Sequence, residues 1–433
     1  MQLYNIKNSQ EQVTFKEAVK RGLAAQGGLY FPEKLPYFED MEALLSQDFI
    51  TRSITIVQAL IGDEFSSTSI ERMVTAAFHF PIRVQPVTER IFALELFLGP
   101  TLAFKDFGAR FMAQLLLEIN KETPQPKPTM ILTATSGDTG AAVAHAFHGL
   151  PGIQVVILYP HQRISELQEK LFCTLGGNVH TLAIEGDFDD CQALVKQCFE
   201  DPAITERVQL NSANSINVSR IFAQSLYYFE AAAQLRSLYP QGDCPMICVP
   251  SGNFGNLTAG LFAQRMGLPV STFVAATNVN DTVPRYLKTG QWEPKETIAT
   301  LANAMDVSRP NNWPRIEELM ANTEGKTYNP LRGVSISEGE TESAMRELKA
   351  LGYIADPHSA IGYAGLKACL GEKEKGIFLC TAHPAKFKKS VEHILGITLP
   401  MPKALEMVVH KPILSQVVPN SYQEVRKRLL DLS

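Results

Sequence analysis

From about residue 128 onward, short apolar runs alternate with helix-length segments, and this alternation restricts the fold more than any other feature. MILTAT (130–135), IQVVILYP (153–160), NVHTLAIEG (178–186) and VQLNSA (208–213) read as buried strands. The helices between them begin near Asp138, span Ser165–Leu175, and start after Asp187, an N-cap for DFDDCQALVKQCF. A helix follows the last strand from about Ser215. A second unit opens at MICVPSGNFGNLTAGLFAQ (246–264), continues in STFVAATN (271–278) and closes with GIFLCTAHPAKF (376–387). Strands apolar along both faces and joined through helices imply right-handed crossovers and parallel sheets covered on both sides. The chain is therefore expected to be α/β, with two parallel-sheet lobes. Residues 1 to about 90 read as mostly helical, with apolar and charged residues at helical spacing over Thr14–Ala25 and Ser69–Ala77.

The expected division is an N-terminal helical region (1–92), a large α/β domain (93–105 and 223–400), a small α/β domain (106–222) and a C-terminal segment (401–433). A chain of 433 residues has room for two or three domains. Its 40 basic and 45 acidic residues leave a net charge of -5, and no half of the chain is strongly basic. Nucleic acid and anionic membrane surfaces are thus not expected partners. No run of 18 apolar residues predicts a membrane span, and MQLYNIKNSQEQ lacks the basic and apolar segments of a secretory signal. The odd cysteine count, seven, with Cys248 and Cys380 in apolar surroundings, fits reduced thiols in the cytoplasm. No metal is expected. Cys244 and Cys248 are followed by no second Cys/His pair, and His145 and His148 by no third ligand.

Five segments at strand ends can carry chemistry, and each also has a bland reading. Ser251–Gly255 (SGNFG) can cradle a phosphate in its amides, with a helix N-terminus behind it; it can also be a tight strand–helix turn. Thr135–Gly140 (TSGDTG) offers hydroxyls, amides and another helix start to a carboxylate or phosphate; alternatively Ser136 or Asp138 simply caps the helix. Lys105, in GPTLAFKDFG, sits among apolar neighbours that favour a lowered pKa and imine formation, unless it snorkels to solvent. Asn211–Arg220 (NSANSINVSR) crowds amides and hydroxyls before an arginine able to clamp a phosphate; it also reads as a helix start rich in caps. In TAHPAKF, the Thr381 hydroxyl could meet a ring nitrogen, and His383 reads better as a turn histidine than as a catalytic one.

The order and wording of these segments resemble the threonine synthase family, in its longer enterobacterial and fungal form. The resemblance runs through LELFLGPTLAFKDFGARFMAQ, ILTATSGDTGAAVAHAF, LNSANSINVSRI, VPSGNFGNLTAGL, MDVSRPNNWPR, ADPHSAIGYAGL and FLCTAHPAKF, essentially the whole chain. It implies the tryptophan-synthase β-like fold, fold type II among pyridoxal-phosphate (PLP) enzymes. It also implies the conversion of O-phospho-L-homoserine and water to L-threonine and phosphate.

By the same resemblance, Lys105 is the lysine that binds PLP covalently. Ser251, Gly252, Asn253, Phe254 and Gly255 hold the PLP phosphate, and Thr381 stands beside the pyridine nitrogen. Ser136, Gly137, Asp138, Thr139 and Gly140 receive the substrate carboxylate, while Asn211, Ser212 and Arg220 meet its phosphate. Longer members imply a monomer, with a dimer as the alternative. One position departs from the family, which commonly reads LELFHGPT where this chain has Leu98. Two rivals remain: another fold type II enzyme, such as a threonine dehydratase, and a catalytically silent PLP-binding relative.

Overall fold

In a computed structural model of the protein, the described residues are 1–122, 127–240, 242, 244–321 and 331–432. Three sheets organise them. β1 (Gln2–Asn5), β2 (Asn8–Thr14) and β3 (Tyr30–Pro32) form a small sheet with β1 in the centre and antiparallel to both neighbours. β4 (Arg83–Pro86), β5 (Ile91–Glu95), β10 (Met246–Pro250), β11 (Thr272–Thr277), β12 (Arg332–Ser335) and β13 (Gly376–Cys380) build the largest, in the order β12-β11-β10-β13-β5-β4. Every pair in it is parallel except the edge pair β4–β5. β6 (Thr129–Ala134), β7 (Ile153–Pro160), β8 (Val179–Glu185), β9 (Gln209–Asn211) and β14 (Gln416–Pro419) form an all-parallel sheet ordered β14-β8-β7-β6-β9.

The α/β reading with two parallel-sheet lobes therefore holds. β5, β6, β10, β11 and β13 are buried along their whole length, as sheets covered on both faces require. The first ninety residues carry the expected helices, Phe15–Arg21 and Ser67–Ala77 among them, and add the small antiparallel sheet. Only the helix stop differs from Thr14–Ala25: Gly22, at φ 70, ends it after Arg21. β14 joins the smaller sheet beside β8, so the C-terminal segment completes that lobe.

Caps fix where the helices around the site begin. Asp187 forms a capping box with Asp190, and Ser165 forms one with Gln168. The helix expected from Ser215 starts at Val218 because Asn217, not an earlier residue, accepts from the Ser219 amide. That helix, Val218–Leu238, is buried on nearly every side and packs against Lys105–Glu122 and Gly255–Arg265. Five loops thus leave the carboxyl ends of β5, β6, β9, β10 and β13, where open parallel sheets take their ligands. No helix among the described residues is long and apolar enough to cross a membrane.

Candidate active site

The five loops converge on one cleft of about 1040 Å³, part of it open to solvent. Lys105, Ser136, Asp138, Thr139, Arg220, Ser251–Gly255 and Thr381 all line it. Segments far apart in sequence therefore share one space.

Lys105 opens the helix Lys105–Glu122 and donates from Nζ to Thr139 Oγ1 at 2.9 Å. Burial lowers its pKa from 10.5 to about 8; the Asp138 charge opposes the shift, and Arg220 and Lys386 reinforce it. Its neighbour Asp106 is buried and accepts from the Thr101 amide (2.9 Å) and hydroxyl (2.6 Å). These bonds fold the Gly99–Thr101 turn back onto the start of the helix, while burial pushes the Asp106 carboxyl up to about 6.

The Ser251–Gly255 loop is shaped by close backbone approach. A Cβ on Gly252 would stand 2.8 Å from Met305 Cα and 2.9 Å from Ala304 O, so only glycine fits without moving backbone. Phe254 takes a left-handed φ of 60 to turn the chain into the helix Gly255–Arg265, a strained conformation for such a residue. The first amides of that helix have no intrahelical acceptor and stand at the cleft wall. Asn312 fixes the loop from outside, donating from N (3.3 Å) and Nδ2 (3.2 Å) to Asn253 O.

In the Thr135–Gly140 loop neither Ser136 nor Asp138 is the cap. Thr135 Oγ1 accepts from the Gly137 and Gly140 amides at 3.0 and 2.8 Å, which frees Ser136 to line the cleft. Gly137 and Gly140 lie behind the lining: Gly137 is at φ 137, and a Cβ on Gly140 would meet Thr135 Cγ2 at 2.6 Å. Asp138 is ion-paired to the fully buried Lys386 at 2.7 Å. Burial alone would raise its pKa; Lys386 and Gln168 outweigh that and hold the carboxyl below its ordinary value.

Arg220 is buried, with Nη1 donating to the Ala213 carbonyl and Nε without a partner among the described residues. Burial brings its pKa down to about 10. Asn211 and Ser212 do not reach the cleft. The Asn211 amide donates to the carbonyls of Val19 (2.8 Å) and Lys20 (3.1 Å), and Ser212 Oγ accepts from the Asn214 amide at 3.3 Å. Their neighbours Asn214 and Ser215 line the cleft instead. His383 also lies outside the lining. Its Nδ1 accepts from the Ala385 amide at 3.1 Å, and burial lowers its pKa to about 4, so it is a neutral turn histidine. Leu98 packs against an apolar cluster and does not itself line the cleft.

The motifs did not single out Gln224, Asn256, Asn303, Asp306 or His358, which also line the cleft. His358 Nδ1 pairs with the buried Asp356 at 2.6 Å, and its Nε2 accepts from the Ala304 amide at 3.3 Å, so it braces the loop that faces Gly252. Its motif, ADPHSAIGYAGL, was the available signal.

Four lining residues carry buried polar atoms with no partner among the described residues: Arg220 Nε, Gln224 Oε1, Asn256 Nδ2 and Asn303 Oδ1. Such atoms cost stability unless a ligand satisfies them. Together with the glycine-lined cradle, the free helix amides and an amine of lowered proton affinity, they fit a phosphorylated aldehyde cofactor.

Known proteins agree with this chemistry. Residues 79–381 match the family described as pyridoxal-phosphate dependent enzyme, residues 4–78 match threonine synthase N terminus, and residues 359–428 match threonine synthase, C-terminal. The chain is 58% identical over 436 residues to the threonine synthase of Serratia marcescens, covering 100% of both. The crystal structure of threonine synthase from Escherichia coli superposes with a TM-score of 0.94 at 55% identity, covering 100% of each chain. The PLP-bound threonine synthase of Brucella melitensis gives 0.90 at 31% identity, covering 100% of this chain and 99% of that one. The chain therefore belongs to the threonine synthase family of pyridoxal-phosphate-dependent enzymes.

Proposed function

We propose that this chain converts O-phospho-L-homoserine and water to L-threonine and phosphate, with Lys105 as the residue that binds the cofactor and moves the protons. The observation that carries the reading is the Lys105 amine: it faces the cleft, has a pKa lowered to about 8, and touches Thr139 of the loop opposite. An amine of this kind is partly neutral near neutral pH and can act as nucleophile and as base.

When bound, pyridoxal phosphate supplies the electron sink that makes the substrate Cα–H bond acidic. Ser251–Gly255 would hold its phosphate with their amides, and Thr381 would offer its ring nitrogen a neutral hydroxyl. Ser136 and Thr139 orient the substrate carboxylate. Arg220 holds the substrate phosphate, both before and after the Cγ–O bond breaks. Asn211 and Ser212 serve this end by anchoring the loop that leads to Arg220. Lys105 removes the Cα proton and later carries protons at Cβ and Cγ. The water oxygen bonds to Cβ, Cγ gains the proton that makes it a methyl group, and phosphate departs, so one water enters for each phosphate released.

Residues 93–105 and 223–400 form the cofactor-binding lobe in this reading, and 106–222 the lobe that meets the substrate carboxylate. Residues 1–92 and 401–433 flank them. The protein acts in the cytoplasm as a monomer on this one small-molecule substrate. The test is an assay of the purified holoenzyme with O-phospho-L-homoserine that follows phosphate and threonine together. Equal amounts of both, lost in Lys105→Ala, are expected. Phosphate without threonine would replace the proposal with a phospho-lyase, and no product from the cofactor-loaded protein would replace it with a silent relative.

A further inference from the structure

Asp138 poses an electrostatic problem for the loop that holds it. Asp138 lines the cleft within the same five residues, Ser136–Gly140, that would take the substrate carboxylate, and it is ionised. Two like charges in a partly buried site repel strongly. A loop with a bare carboxylate at its centre is a poor receptor for a second one.

The neutralising charge comes from the other lobe. Lys386 lies in the turn Pro384–Phe387 after β13, is fully buried, and reaches Asp138 Oδ1 at 2.7 Å. The same ammonium donates to Thr101 O at 2.9 Å, in the turn that Asp106 folds onto the start of the Lys105 helix. Two further bonds join these segments: Gln168 Nε2 donates to Asp138 Oδ1 at 2.9 Å, and Ser165 Oγ donates to Lys386 O at 3.1 Å. Lys105 to Thr139 runs alongside at 2.9 Å. One buried cation thus ties together the strand-end loop of β13, the turn that leads into the Lys105 helix, and the first residue of the helix Asp138–Phe147.

We infer that Lys386 is a positioning residue of the reaction: it neutralises Asp138 and locks the Ser136–Gly140 loop to the Lys105 turn, so that the substrate carboxylate is received by hydroxyls and amides and not by Asp138. Ser136 Oγ, Thr139 Oγ1 and the first-turn amides of Asp138 and Thr139 are the donors left for it. The inference rests on the reading of that loop as the carboxylate site.

The experiment is a spectroscopic titration of the holoenzyme with the phosphonate analogue of O-phospho-L-homoserine, in which a methylene replaces the ester oxygen, and separately with inorganic phosphate. Lys386→Met should weaken the analogue on the order of a hundredfold, the size of one uncompensated like-charge contact at about 6 Å and an effective dielectric of about 20. Phosphate alone, which has no α-carboxylate and is held at Arg220 away from the Asp138 loop, should weaken less than the analogue, because the Coulomb energy falls with distance. The double variant Lys386→Met with Asp138→Asn removes both charges and should recover most of the lost affinity. A purely structural role for the pair would leave the double variant at least as impaired as the single one, and that result overturns the inference. So does Lys386→Met binding the analogue as the parent does. The reaction assay fails independently: a parent enzyme that makes no threonine but shows this charge-dependent binding refutes the proposed activity and leaves the positioning role standing.

Discussion

In the proposed reaction the Lys105 proton is the quantity on which the chemistry turns, and it can be read in the cofactor-free protein. Lowering its pKa from 10.5 to about 8 changes the neutral fraction at pH 7 from about 0.03% to about 10%, roughly a three-hundredfold gain in reactive amine. Competitive labelling with a small acylating reagent, followed by mass spectrometry of the Lys105 peptide, measures this fraction directly. Labelling should climb tenfold per pH unit up to about 8 and then level off, whereas a lysine in an unstructured reference peptide keeps climbing to about 10.4. The sign of the neighbouring charges gives a second arm. The Asp138 carboxylate favours the protonated amine, so Asp138→Asn should move the Lys105 midpoint to lower pH. Lys105 labelling that tracks the reference peptide would refute the claim that burial activates this amine. An upward shift in Asp138→Asn would refute the electrostatic account of its surroundings.

Two further substitutions separate the ends of the site. Gly252→Ala puts a Cβ 2.8 Å from Met305 Cα and 2.9 Å from Ala304 O. Overpacking against backbone costs about 1–3 kcal/mol, so fluorescence titration of the cofactor-free protein should show Kd for pyridoxal phosphate rising about five- to a hundredfold. An unchanged Kd would remove this loop from the cofactor site. Arg220→Ala should raise KM for O-phospho-L-homoserine about ten- to a hundredfold, the worth of a charge-assisted bond to phosphate. A substrate analogue lacking the phosphate should respond less than about threefold on the same grounds, and equal weakening of both would take Arg220 out of the phosphate site.

What could be read in the sequence follows the physics of each element. Strands such as MILTA and GIFLC are buried on both faces, so their apolar runs stand out, and the glycine-rich or hydroxyl-rich loops after them mark the carboxyl ends. The small N-terminal sheet gave no such signal, because β2, NSQEQVT, is exposed at nearly every position and carries no alternation. β14 was equally silent: its partner β8 lies more than two hundred residues earlier, and pairing at that separation leaves no local mark. The site divides along the same line. SGNFG, which forms one turn, lines the cleft along its whole length, while side chains delivered by another element, such as Gln224 from the buried helix Val218–Leu238 and His358 from Pro357–Cys369, were not singled out by any motif.

Residue type also misleads when the competing partner is distant. Asn211 sits in a loop crowded with amides and has the right chemistry for a phosphate, yet the carbonyls of Val19 and Lys20, nearly two hundred residues away, take its donors first. Asp138 is the sharper case. In the sequence it belongs to a loop suited to anions, and its own negative charge contradicts that use. Only the fold supplies Lys386, from a segment about 250 residues further on, to cancel it. A loop that contains an acidic residue can therefore bind an anion when the opposite lobe carries a matching buried cation. In the proposed reaction, TSGDTG and TAHPAKF then form one electrostatic unit, joined by the Asp138–Lys386 pair.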